Sequence, residues 1–379
     1  MLEDLFSNAA LMIVLTGALV GVAASLVGTF LVLRRSSMLS DAISHSIVFG
    51  VVIVWLLTHE QSGPVQIVGA ALTGLLTVFL TELLANTRKV KTDAAIGLVF
   101  PVLFATGVLL LNLYARDVHI DTHTVLLGEI GFVWLKTMTV AGMEVPQAVV
   151  WMTVVTLINA LFVALLFKEL KLATFDPELA TALGFVPRLL FYGLLALTSV
   201  TAVAAFEAVG AVLFIAFVII PPAAAYLLTD RLFAMLGIAA AIAVASSVSG
   251  YGLAVRYDVS IGGMMAVVTG GFLAAAFVLG PRYGLLAQAW SAWRQRYADE
   301  QRALLVHLFD HEATAARAEE NVVSALRDHL SWKPRQAAAV LERSLAAGLV
   351  SRDGAVLELT DAGRDEARQL LEPWRRYDA

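Results

Sequence analysis

Nine long apolar runs dominate the first three quarters of the chain, over residues 9–33, 42–58, 64–86, 94–115, 147–167, 188–206, 210–228, 232–255 and 261–280. A helix crossing a bilayer needs about 20 mostly apolar residues, and such a run has no other stable home. The pattern predicts an all-α polytopic membrane protein with about nine spans, or eight if one of the short runs, 42–58 or 188–206, does not cross. Run 9–33 has no basic leader and no small-residue cleavage pattern, so it reads as a retained span. Charge then marks a boundary. The chain is 59% hydrophobic and 15% charged overall, but about a tenth of the residues are charged before position 285 and about three tenths after it. The expected division is a membrane domain over 1–285, a linker over 286–298 and a small soluble domain over 299–379. The absence of cysteine excludes disulfides, thiolate zinc sites and iron–sulfur clusters, so any metal chemistry rests on His, Asp, Glu and Met.

Short loops rich in Lys and Arg stay on the cytoplasmic side. Arg34/Arg35, Arg88/Lys89/Lys91, Lys168/Lys171/Arg188, Arg231 and the Arg-rich tail fall on alternate connections, while the opposite set is acidic. Nine spans satisfy that alternation with the N-terminus outside and the tail in the cytoplasm.

Ionisable residues at membrane depth are costly and mark pathways or polar interiors. Asp41 and His45 are four apart at the start of the second run, which puts a carboxylate and an imidazole on one helix face, able to grip one ion. The alternative is a helix-capping aspartate and an interfacial histidine. In the outer connection, Asp117, His119, Asp121 and His123 alternate, and on an extended segment all four side chains share one edge suited to a divalent cation; a solvated loop is the other reading. Glu207, between two apolar runs, either lines the outer end of a pathway or snorkels to the interface. Pro221 and Pro222 interrupt the seventh run and free backbone carbonyls, as in helices that line transport routes or merely kink to pack.

The stretch from Leu31 to Gly50, with Leu33-Arg34-Arg35 and Asp41-Ala42-Ile43-Ser44-His45, closely resembles the permease subunits of ABC transporters that import manganese, zinc or iron. The likeness continues in order through Thr92-Asp93-Ala94-Ala95-Ile96-Gly97, Asp121 with Leu127-Gly128-Glu129-Ile130, Asp176-Pro177-Glu178, and Ile220-Pro221-Pro222-Ala223. The resemblance implies a bacterial inner-membrane permease that binds no permanent cofactor and carries the divalent metal as cargo. The expected partners are a second permease copy or paralogue, a separate cytoplasmic ATPase dimer and an extracytoplasmic metal-binding protein. It assigns Asp41 and His45 to the metal route. It also makes residues 175–187, with Phe175, Asp176, Glu178, Ala180 and Gly184, the coupling helix that seats in the ATPase. No Gly-x-x-x-x-Gly-Lys-Ser/Thr loop occurs in the chain, so the expected role is a conduit rather than an enzyme.

The tail reads as soluble amphipathic helices over 301–318, 319–330 and 334–347, then a hairpin turning at Asp353-Gly354 and a final helix from Thr360. That order predicts a small α+β winged helix, and Ala347-Gly348-Leu349-Val350 with Leu359-Thr360-Asp361-Ala362-Gly363 resembles the DNA-binding module of the iron-dependent repressors. The tail is net negative, which disfavours nucleic acid and favours a protein-contact or regulatory role. His307, Asp310 and His311 lie at helical spacing, either as a sensing site or as a solvated face. The expected function is manganese import, with zinc or iron as alternatives. The rival from another class is a membrane-tethered, metal-responsive DNA-binding regulator, and a gradient-driven cation carrier is the third reading.

Overall fold

The computed structural model describes residues 8–59, 64–114, 130–140, 142–281, 283–314 and 317–375. The chain divides into two units, Met1–Gly284 and Leu285–Ala379.

The first unit is built from α1 (Ala9–Leu33), α2 (Met38–Thr58), α3 (Pro64–Ala85), α4 (Thr92–Tyr114), a hairpin of β1 (Thr137–Val140) and β2 (Met143–Pro146), α5 (Gln147–Leu165), the short α6 (Phe167–Phe175) and α7 (Pro177–Ala182), then α8 (Pro187–Leu228), α9 (Leu232–Tyr257) and α10 (Ile261–Leu279). The hairpin was not expected from the sequence. Among the described residues, eight helices are long and apolar enough to cross a membrane, and a helix is the form that satisfies most backbone groups internally in a lipid surround.

The eighth helix accounts for two of the nine runs. At 42 residues a straight α8 would measure about 63 Å, roughly twice the hydrocarbon core of a bilayer. Gly210 interrupts it with φ 79° and ψ 168°, a conformation only glycine adopts without strain. The Arg34 guanidinium stacks 4.3 Å from the centre of the Phe191 ring, while its neighbour Leu33 packs beside Ala225 and Met235. Phe191 and Ala225 would lie about 50 Å apart on a straight helix. They meet at one end because the chain doubles back at Gly210.

The turn expected between the sixth and seventh runs lies at Gly210, and the helix after it runs through Pro221 and Pro222, where a break was expected. Lacking an N–H, Pro222 leaves the carbonyl of Val218 without its helical donor. That oxygen faces Gly28 of α1, where a Cβ would come within 2.0 Å of it, so glycine is the residue that lets the two backbones meet. Asn159 of α5 adds polar attachment by donating to the carbonyl of Ala23 at 3.1 Å and to Thr201 Oγ1 at 2.8 Å.

The connections gather accordingly. Arg34 donates to the carbonyl of Ala173 at 3.1 Å, Tyr192 donates to Glu82, and Tyr283 donates to Asp230 at 3.3 Å. The basic connections after α1, α3, α5 and α8 thus share one end of the helix bundle. Lys136, Glu207 and the start of α10 lie at the other.

The second unit comprises α11 (Leu285–Glu312), α12 (Arg317–Glu320), α13 (Val323–His329), α14 (Pro334–Ala346), β3 (Val350–Asp353), β4 (Val356–Leu359) and α15 (Asp361–Arg375). Residues 286–298, expected as a linker, are instead the first half of α11. The helix expected over 319–330 is divided because Val322 forms a bridge with Val356 and Asn321 accepts from the N–H of Leu357 at 2.7 Å. β3 and β4 are antiparallel, Val350 opposite Leu359 and Asp353 opposite Val356. Leu304, Leu305 and Leu308 of α11 meet Val340, Leu357 and Leu359 in a continuous apolar core.

Candidate metal path and coupling segment

α2 begins at Met38, so Asp41 and His45 lie about 5 and 10 Å along it from the basic end of the bundle. His45 Nε2 is 3.4 Å from Asp41 Oδ1, and each side chain retains about a third of its exposure. Asp41 lies one turn into the helix rather than at its cap, and its partner is the imidazole. Phe100 of α4 stacks on His45 with ring centres 5.7 Å apart, and Phe104 meets its edge at 6.3 Å. The two phenylalanines were not anticipated, although their spacing of four also places them on one helix face. They hold the imidazole plane and leave the carboxylate side open. The result is a mixed oxygen and nitrogen donor pair with room for further ligands, suited to a divalent first-row metal.

Glu207 sits at the opposite end, 3.3 Å from Lys136 Nζ. Both side chains are more than half exposed, so the structure holds Glu207 in a surface ion pair near the turn at Gly210. It does not bring Glu207 to Asp41 and His45. His119, Asp121 and His123 lie outside the described residues.

The segment after α5 has a defined local cause at each end. The Asp176 carboxylate accepts the N–H of Leu179 at 2.9 Å and Pro177 opens the helix, both favoured starts. At the finish, Phe185 N–H donates to the carbonyl of Ala180 and Gly184 N–H to that of Thr181, each at 3.0 Å, with Gly184 at φ +87°. This paired closure needs a left-handed residue, which explains Gly184. Ala180 is fully buried, so the short helix is seated on the bundle, while Phe175, Leu179, Leu183 and Val186 remain 46–61% exposed. Glu178 lies in the first turn, where a carboxylate complements the helix dipole. A capped knob with an apolar outer face stands at the basic end.

A polytopic helical bundle with a metal-competent pair inside it and such a knob at one end defines a membrane transport subunit. The chain belongs to the ABC 3 transport family, which it matches over residues 7–280. It is 45% identical over 360 residues to the zinc transport system membrane protein TroD of Treponema pallidum, covering 95% of this chain and 98% of that one. To the manganese transport system membrane protein MntD of Bacillus subtilis it is 47% identical over 277 residues, covering 73% and 94%. The TroD match is long enough to include most of the C-terminal unit. Among solved structures, PsaBC from Streptococcus pneumoniae in complex with Fab aligns with a TM-score of 0.61 and 26% identity, covering 72% of this chain and 92% of that one.

Proposed function

We propose that the chain is the permease subunit of an ATP-driven importer of divalent transition-metal ions, manganese first, with zinc and iron as the alternatives. The observation that carries this reading is the Asp41–His45 pair, held at 3.4 Å inside the bundle and still open on one side. A conduit site has to release its ion as well as bind it, which two protein ligands with free coordination positions allow. Relatives named for manganese and for zinc stand at nearly equal identity, which supports the metal class and keeps both ions in view.

In this reading the basic end faces the bacterial cytoplasm, as the positive-inside rule favours, and the N-terminus is outside. A second permease copy or paralogue covers the open side of the pair. An extracytoplasmic binding protein delivers the ion at the end marked by Glu207, and the connection that carries His119, Asp121 and His123 takes part in receiving it. The knob over residues 175–187 seats in a separate cytoplasmic ATPase dimer, whose hydrolysis rearranges the bundle. The C-terminal unit, with its helical core and β3–β4 hairpin, is assigned as a winged helix with a regulatory or protein-contact role; its net negative charge speaks against DNA.

Reconstitution of the permease with its ATPase and binding protein in proteoliposomes tests this. Manganese accumulation is expected only with ATP and the binding protein present. Uptake by this chain alone, driven by an ion gradient, would overturn the assignment.

A further inference from the structure

The C-terminal unit brings together three of the chain's seven histidines, which the transport reading leaves unused. His307 and His311 stand one turn apart on α11, so their rings leave the same face, with centres 4.7 Å apart. His329, the last residue of α13, brings its ring to 5.7 Å from His307 and 6.5 Å from His311. Glu320, at the end of α12, points a carboxylate oxygen at the same place, 2.7 Å from His329 Nδ1. One donor atom from each of the four lies within 4.8 Å of all the others.

The arrangement of these groups suits ligation. His307 Nε2 lies 3.3 Å from the backbone carbonyl of Glu320. A carbonyl only accepts, so the N–H is there and the lone pair is on the other ring nitrogen. Metal-bound imidazoles are commonly oriented in this way by a backbone carbonyl. The buried Oε2 of Glu320 meets His329 at ion-pair distance without hydrogen-bond geometry, so its lone pairs are not committed to a donor.

We propose that His307, His311, Glu320 and His329 form a binding site for one divalent transition-metal ion, zinc by preference, separate from the transport route. Three imidazoles and one carboxylate make a complete tetrahedral zinc set, with ligand atoms about 3.3 Å apart around the ion. Small side-chain rotations close the present spread to that figure. Manganese, which favours more oxygen donors, binds there more weakly. The ion joins α11 to the segment carrying Glu320, and the adjacent Asn321 and Val322 are bonded to β4. Occupancy therefore fixes the turn end of the hairpin against the first helix of the unit. If the permease orientation proposed above holds, the site samples the metal already delivered to the cytoplasm and serves as a feedback sensor; that regulatory role rests on the importer reading, whereas the binding chemistry does not.

The experiment uses the full-length chain, purified in detergent, stripped with EDTA and titrated with zinc against a chromophoric chelator. Bound zinc per chain is counted by mass spectrometry. His311→Gln and His329→Ala, both at partly exposed positions, are compared with wild type after circular dichroism confirms the fold. Each is expected to lose one zinc per chain and to bind more than about 100-fold more weakly at that site, beyond the 10–100-fold that changes behind a ligand cost. Asp41→Asn is expected to retain this zinc. Cobalt as a probe should give the intense visible bands of a tetrahedral ion in wild type and lose them in both variants. Unchanged zinc stoichiometry and affinity in the two variants would overturn the site. Failure of ATP-driven uptake with this zinc still bound would overturn the importer reading and leave the site standing.

Discussion

The two units of the chain use opposite means of holding helices together. Between lipid-surrounded helices there is no hydrophobic driving force, so close approach and interhelical hydrogen bonds take its place. Gly28 admits the carbonyl of Val218 freed by Pro222, and Asn159 bonds α1 to α8. The C-terminal unit buries Leu304, Leu305, Leu308 and Leu357 completely, and its charges sit in ion pairs around that core, such as Arg317 with Glu358 and Arg364 with Glu312. The histidines divide in the same way. His45 has one carboxylate, two phenylalanine neighbours and an open side, whereas His307 has two imidazoles and a carboxylate converging on it. The first arrangement suits an ion in passage, and the second suits an ion that stays.

Glycine substitutions sharpen the contrast. The largest effect is expected for Gly28→Val, because the new side chain meets backbone rather than a movable side-chain end. The cost should exceed the roughly 1–3 kcal/mol typical of overpacking, with loss of monodisperse protein on size exclusion while the C-terminal unit, which lacks that contact, stays folded. Gly184→Ala should act more mildly. A Cβ there meets nothing within 4 Å, so only the left-handed backbone is penalised, by about 1–2 kcal/mol. The protein should fold and bind metal but stimulate its ATPase less, which an ATPase assay of the assembled transporter reads. Equal damage from the two substitutions would break the distinction between a packing glycine and a turn glycine.

Much of the architecture was legible in the sequence because apolar run length is a direct reading of bilayer thickness. The sixth and seventh runs are two helical halves of α8 that meet at Gly210, whose positive φ of 79° turns the chain back on itself within a single residue, so no loop separates them. The prolines at 221 and 222 read as breakers, but the helix runs through both, and the carbonyl of Val218 that Pro222 leaves without its helical donor faces Gly28. Asp41 and His45 were visible because a spacing of four is local. Phe100, Phe104 and Lys136 were not linked to their partners, since those contacts join separate helices. For the same reason His307 and His311 were found together, whereas Glu320 and His329 were not joined to them. The division of the 319–330 segment at Asn321 depends on a long-range bridge to β4 that no local periodicity encodes.

The central claim is that Asp41 and His45 lie on the route of the ion. The direct measurement is ATP-driven manganese uptake into proteoliposomes holding the complete transporter with wild-type, Asp41→Asn or His45→Ala permease, with assembly checked by co-purification of the ATPase. Both variants are expected to assemble and to lose uptake by about tenfold or more, since even a change behind a ligand costs about 10–100-fold in metal affinity or activity. Wild-type uptake in both variants would contradict the account.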